Sequence, residues 1–123
     1  MKRFNKYNAE RTFYKDRWYD SIAEARYARL LNMLRLAARI EDRIIDIKYQ
    51  KNFDLGNKIN YRADFFITYA DGHSEVHEVK GFETRDWKLK LKLFKSKYPE
   101  TIIKIIKLEH GKFKIKQFEG KQK

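Results

Sequence analysis

The sequence predicts an α/β fold in which a mixed central sheet is flanked by helices, in the order helix, three strands, helix, two strands. Three observations predict it. Apolar residues recur at helical spacing behind a capping signal at Ser21; three stretches between residues 44 and 80 read as strands; and a basic amphipathic stretch stopped by Pro99 precedes a β-branched run at 101–108. With 123 residues, the chain is expected to form a single domain over 1–123, because its apolar residues cannot be divided between two independent cores. Its 42% hydrophobic and 15% aromatic residues supply one core, despite a mean hydropathy of -0.82 set by abundant Lys and Arg.

Residues 1–20 interleave Phe4, Tyr7, Phe13, Tyr14, Trp18 and Tyr19 with Lys2, Arg3, Lys6, Arg11, Lys15 and Arg17. Two readings stay open: a small hairpin around Tyr14-Lys15-Asp16-Arg17-Trp18 that covers the core, which is preferred, or a basic arm laid along phosphates. Ser21 can then cap a helix, with Glu24 three residues later completing a capping box. Ile22, Tyr27, Leu30, Leu31 and Leu34 give this helix a buried stripe running to about Ala38.

The strand signals are Ile44 to Tyr49, Tyr61 to Tyr69 and Ser74 to Lys80, with a loop at Asp54-Leu55-Gly56-Asn57. In the second helix Trp87, Leu91, Phe94 and Tyr98 form the apolar stripe, Trp87 being read as core, and Lys88, Lys92 and Lys95 lie beside it. Thr101 to Leu108 has the nearly continuous β-branched content of a strand covered on both faces, reached by a right-handed parallel crossover. Lys112 to Phe118 alternates lysines with Phe113 and Ile115 as an edge strand does, and Gly120 to Lys123 reads as a solvated tail.

The 29 basic residues exceed the 17 acidic ones by 12, a balance that concentrates polyanions around the protein and makes nucleic acid the first partner to consider. No stretch has the length of a membrane-spanning helix or the layout of a secretory signal. The absence of cysteine excludes disulfides, zinc-thiolate sites and thiol nucleophiles, and fits a reducing cytoplasm. His73, His77 and His110 lack zinc-ligand spacing and are read as ordinary strand or turn residues.

The chemistry is concentrated in Tyr61 to Lys80. Ala70-Asp71-Gly72 suits a three-residue hairpin loop with Gly72 in the left-handed position, which pairs Tyr69 with His73 and, five residues along, Asp64 with Glu78. Opposite residues have Cβ atoms about 5 Å apart, and Lys80 points the same way as Glu78, so two carboxylates and an ammonium would converge. A two-residue Asp71-Gly72 loop would instead send Glu78 to the other face. Adjacent carboxylates repel, and Mg²⁺ is the simplest way to keep both ionised; it also polarises a phosphodiester oxygen and lowers the pKa of a bound water. Lys80 would orient that water or neutralise charge developing on the phosphate. An exposed salt-bridge ladder is the competing explanation, disfavoured because Asp64 interrupts an aromatic-rich strand between Ala63 and Phe65.

Asp64, Glu78-Val79-Lys80 and the order of elements resemble the PD-(D/E)XK nuclease superfamily from Ser21 onward, although Arg62-Ala63 stands where proline would precede the first acid. Asp20-Ser21 before Glu24-Ala25, Tyr61-Arg62-Ala63-Asp64-Phe65 and Glu78-Val79-Lys80-Gly81 resemble, more narrowly, short phage and prophage endonuclease-like proteins. The resemblance implies a restriction-endonuclease-like core and a Mg²⁺-dependent endonuclease, Mn²⁺ substituting, acting on duplex or branched DNA in a bacterial or phage-infected cytoplasm. Holliday-junction resolution and nicking are the activities it suggests, leaving 5′-phosphate and 3′-hydroxyl ends, often in a homodimer. It also implies that Asp64, Glu78, the Val79 backbone carbonyl and Glu24 of the first helix form the metal site, with Glu24, Asp64, Glu78 and Lys80 catalytic. Glu24 retains its capping role as an alternative. Arg62, on the strand face of Asp64, and Arg85, Lys88, Lys92 and Lys95 are the candidate phosphate contacts, a solvated helix face being the plainer reading of the lysines. A non-catalytic DNA-binding or architectural protein is the alternative function, and an RNA-binding sheet the third, weakened by the lack of its aromatic motif.

Overall fold

A computed structural model describes residues 3–4 and 10–120. Two short strands, β1 (Arg3–Phe4) and β2 (Glu10–Tyr14), pair with each other, and β2 pairs with β3 (Arg17–Tyr19), all antiparallel. There follow α1 (Ile22–Met33), a 3-10 turn (Leu34–Leu36), β4 (Ile44–Asp54), β5 (Asn60–Tyr69), β6 (Ser74–Val79), α2 (Arg85–Lys97), β7 (Ile102–Glu109) and β8 (Lys112–Phe118). The chain is thus α/β with a mixed sheet of order β4-β5-β6-β7-β8, in which only β6 and β7 run parallel. The expected order of elements holds from α1 onward; three short strands precede it.

The β2–β3 hairpin closes through Lys15 (φ 49) and Asp16 (φ 63), the two left-handed positions of a turn whose twist matches its strands. Its Tyr19 is buried in the main core and Tyr14 packs against that core, as a covering hairpin requires. Lys2, Lys6 and Tyr7, and the tail beyond Gly120, lie outside the described residues.

Helix α1 is shorter than its apolar pattern suggests, and of the expected stripe only Tyr27 and Leu31 are buried. Its buried residues are Glu24, Ala25, Tyr27, Ala28 and Leu31, while Ile22, Leu30 and Leu34 are exposed. Small alanines let the helix lie close to the sheet, and that approach selects the Ala-bearing stripe over the bulkier one. It packs with Ile44, Ile47, Phe65, Ile67, Tyr69, Val79 and Ile106. On the other side, Leu91 and Phe94 of α2 pack with Tyr61, Ala63, Val76, Ile103 and Ile105, and Trp87 and Tyr98 border them. Strand β7 therefore gives Ile103 and Ile105 to one cluster and Ile106 to the other, which is why its sequence is apolar almost throughout.

The membership of these clusters reveals a feature that positions the site. Tyr61 and Ala63 lie with α2, whereas Phe65, Ile67 and Tyr69 lie with α1. Strict alternation would put all five on one face, so β5 turns over at Asp64. Its neighbour β4 does the same: Tyr49 packs with the α1 cluster, Phe53 with the α2 cluster, and Gln50 between them has φ 52. The ladder pairs Tyr49 with Phe65 and Lys51 with Ala63, leaving Gln50 across from Asp64 at the irregularity.

Candidate active site

The Ala70-Asp71-Gly72 loop has the three-residue form. The Tyr69 N–H donates to the His73 carbonyl at 3.0 Å, the Gly72 N–H donates to the Tyr69 carbonyl at 2.9 Å, and Gly72 has φ 95. Phe65 accordingly pairs with His77, and the β5–β6 pairing ends there, one residue short of Asp64 and Glu78. Beyond that point the two carboxylates reach across to backbone. The Asp64 N–H donates to Glu78 Oε2 at 2.8 Å, and the Val79 N–H donates to Asp64 Oδ2 at 3.0 Å.

Glu78 is 1% exposed and Asp64 7%, which removes the solvent-exposed salt-bridge ladder as an explanation. Glu78 Oε1 accepts from the Trp87 indole N–H at 2.9 Å and lies 3.9 Å from Lys80 Nζ. Lys80 in turn sits 5.4 Å from the centre of the Trp87 ring. Trp87 is therefore a ligand of the acidic cluster as well as a border of the core. The Tyr61 hydroxyl is buried without a formed hydrogen bond, and its phenol is pushed well up by burial and then by the nearby Glu78 charge.

Glu24 reaches the same cluster from α1. The Ser21 hydroxyl accepts from the Glu24 N–H at 3.1 Å, so half of the capping box is present, but the Glu24 side chain accepts from Gln50 Nε2, also at 3.1 Å. Its carboxyl is pushed up to about 7 by burial, then by Asp20 and Glu78. Asp64 is held well above the usual carboxylate range by burial, then by Glu78 and Glu24, and Glu78 is raised by burial against the pull of Lys80 and Trp87. Three buried acids share one lysine, so each ionises only at a cost that a divalent cation would relieve.

Among the described residues no three His, Cys, Asp or Glu side chains are already gathered as a metal-binding group. The donor chemistry nevertheless suits a hard cation. Every candidate ligand atom is an oxygen, and Asp64 Oδ1 and Glu24 Oε2 accept no hydrogen bond from the described residues. Mg²⁺ takes one or two carboxylates and keeps several waters, so it needs no complete protein cage.

Of the other predicted residues, Arg62, Arg85, Lys88 and Lys92 are exposed. Arg85 and Lys88 lie with Trp87 in the first turns of α2. Lys95 is engaged elsewhere: its ammonium donates to the Pro99 and Thr101 carbonyls at 3.0 and 2.9 Å, securing the end of α2. The turnover at Asp64 also means that two-residue spacing does not by itself bring Arg62 and Asp64 to one face. Gln50, Trp87 and Tyr61 were not legible as site residues. Gln50 lies one residue beyond the strand read as Ile44 to Tyr49, which in fact runs on to Asp54.

A second polar cluster lies on β6 and the loop residue before it. His73, Glu75 and His77, unremarkable by spacing, form a polar network on the α1 face, and His77 is buried. His110, by contrast, is a left-handed turn residue (φ 51), as expected. No helix among the described residues is long and apolar enough to cross a membrane. No curated protein and no solved structure matches the chain. Residues 4–114 match the family described as protein of unknown function (DUF1064), and the chain belongs to that family.

Proposed function

We propose that this protein is a divalent-metal-dependent DNA endonuclease with a restriction-endonuclease-like core. The observation that carries the proposal is the buried pairing of Asp64 and Glu78 beside Lys80 where β5 and β6 part, with the buried Glu24 of α1 near enough to raise the Asp64 carboxyl. Burying three carboxylates with one lysine is costly unless a cation or a reacting group uses them. Asp64 and Glu24 have oxygens available for Mg²⁺ or Mn²⁺, and Glu78 and the Val79 carbonyl complete the proposed metal site. The metal supplies Lewis-acid polarisation of the phosphate and a bound water of lowered pKa.

The chain's own residues hold and orient. Gln50 fixes one oxygen of Glu24, Trp87 fixes one of Glu78, and the Val79 N–H fixes one of Asp64. Lys80, partly exposed beside Glu78, neutralises charge on the phosphate as water adds to phosphorus and the 3′-oxygen leaves. That displacement yields a 5′-phosphate and a 3′-hydroxyl. Arg62, Arg85, Lys88 and Lys92 supply phosphate contacts, in keeping with the net charge of +12.

The test is cleavage of supercoiled, linear, flap and four-way-junction DNA with Mg²⁺, Mn²⁺ or chelator. Metal-dependent cutting that disappears in Asp64→Asn and Glu78→Gln, with DNA binding retained, is expected. Binding without cutting under all metals would leave the non-catalytic DNA-binding reading in its place.

A further inference from the structure

The polar network on the α1 face of β6 takes no part in the chemistry proposed above. Glu75 is 5% exposed, and its carboxylate is met by His77 Nε2 at 2.7 Å, His73 Nε2 at 2.9 Å, Lys104 Nζ at 3.2 Å and the Tyr69 hydroxyl at 3.2 Å. Burial pushes the Glu75 carboxyl up, but the two histidines and Lys104 outweigh it and hold it at about 2. His77 is buried as well, and its second ring nitrogen, Nδ1, lies 2.7 Å from the Tyr27 hydroxyl. With Nε2–H donating to ionised Glu75, Nδ1 carries the lone pair and accepts from Tyr27.

Tyr27 is the α1 side chain that this network bonds among the described residues, and it stands one turn beyond Glu24 on the same buried stripe. His77 is the residue before Glu78 on β6. The Tyr27–His77 hydrogen bond therefore ties the helix carrying one acid to the strand carrying another. The apolar packing of Ala25, Tyr27, Ala28 and Leu31 holds the helix on the sheet but is non-directional. A directional bond anchored on the ionic Glu75 cluster adds a register to that packing, a role for which buried polar groups are suited.

We propose that Tyr27 and His77 are positioning residues that set Glu24 over Asp64 and Glu78, with Glu75 as their anchor. The proposal rests on the endonuclease reading and on Glu24 as a metal ligand. Tyr27→Phe is the clean variant, because the ring contacts with Phe65 and Phe113, at 5.7 and 5.3 Å between centres, do not involve the hydroxyl.

The experiment titrates Mn²⁺ into the full chain by calorimetry and follows the Mg²⁺ dependence of DNA cleavage. The variants are Tyr27→Phe, Glu24→Gln and their double, with Tyr27→Phe/His77→Leu as a second means of removing the bond without stranding the imidazole. Tyr27→Phe is expected to weaken Mn²⁺ binding about tenfold, the lower end for loss of a group that orients a ligand. The Mg²⁺ needed for half-maximal cleavage should rise similarly, while kcat at saturating metal changes less than twofold. In the Glu24→Gln background the same substitution should have no further effect on Mn²⁺ affinity. Unchanged affinity in Tyr27→Phe and in the double replacement, or an equal loss with and without Glu24, overturns the positioning role while leaving an active parent intact. A parent that neither binds Mn²⁺ nor cuts DNA overturns both readings.

Discussion

Glu24→Gln should make the metal-free protein more stable at alkaline pH, although it removes a group from the candidate active site. Glu24 is 4% exposed, and its carboxyl is pushed from an ordinary 4.5 up to about 7 by burial, then by Asp20 and Glu78. Between those values the native state binds more protons than the unfolded chain, so its stability falls as pH rises from about 4.5 to about 7. Above that window the ionised native carboxylate costs about 3 kcal/mol, at about 1.4 kcal/mol per pH unit. Glutamine retains the volume and a group that can bond Gln50, and forfeits about 0.5 kcal/mol of helix N-terminal attraction for negative charge. The expected gain is about 2 kcal/mol at pH 8, roughly 6–10 °C in Tm for a chain of this size. At pH 5 it should be smaller than about 1 kcal/mol, because little of the titration has occurred. Thermal and urea unfolding followed by circular dichroism, with chelator present, measures both. A variant that is less stable than the parent at pH 8, or whose difference is the same at both pH values, refutes the account of a carboxylate crowded by charge.

Adding Mn²⁺ or Mg²⁺ to the parent should raise Tm more at pH 8 than at pH 5, since protons compete for the same carboxylates; at a hundredfold excess over Kd the stabilisation is about 2.7 kcal/mol. Asp64→Asn should abolish that shift, and a full shift in the variant would place the metal elsewhere. Lys80→Met is expected to lower kcat for DNA cleavage by about 10²–10³ with DNA affinity little changed, as for loss of a group that meets developing charge; equal activity would remove Lys80 from the chemistry. Lys88→Ala and Lys92→Ala should each reduce the slope of log affinity against log salt by about 0.9 if each contacts one phosphate, and unchanged slopes would assign both lysines to a merely solvated face. Gly72→Ala should cost about 1 kcal/mol through its left-handed backbone alone, because an added Cβ meets nothing within 4 Å. A neutral result by urea unfolding would contradict the loop geometry that sets the hairpin register.

The two helices, the order of strands from α1 onward and the hairpin register were legible in the residues, whereas the run of β4 past Tyr49 to Asp54 was not. Local rules sufficed: Ser21 caps α1, Pro99 follows α2, and Gly72 closes a three-residue loop that aligns Asp64 with Glu78. The β-branched content of β7 announced a strand covered on both faces because burial on two sides leaves no position for alternation. Which residues join Tyr27 and Leu31 on the buried side of α1 depended on packing, since close approach to the sheet favours Ala25 and Ala28 over Ile22 and Leu30, and hydrophobicity alone ranks them the other way. Packing also turns β4 and β5 over together at Gln50 and Asp64, which residue spacing alone does not announce. Trp87, Gln50 and Tyr27 acquire their polar partners only through contacts made between elements far apart in the chain, which residue spacing does not encode.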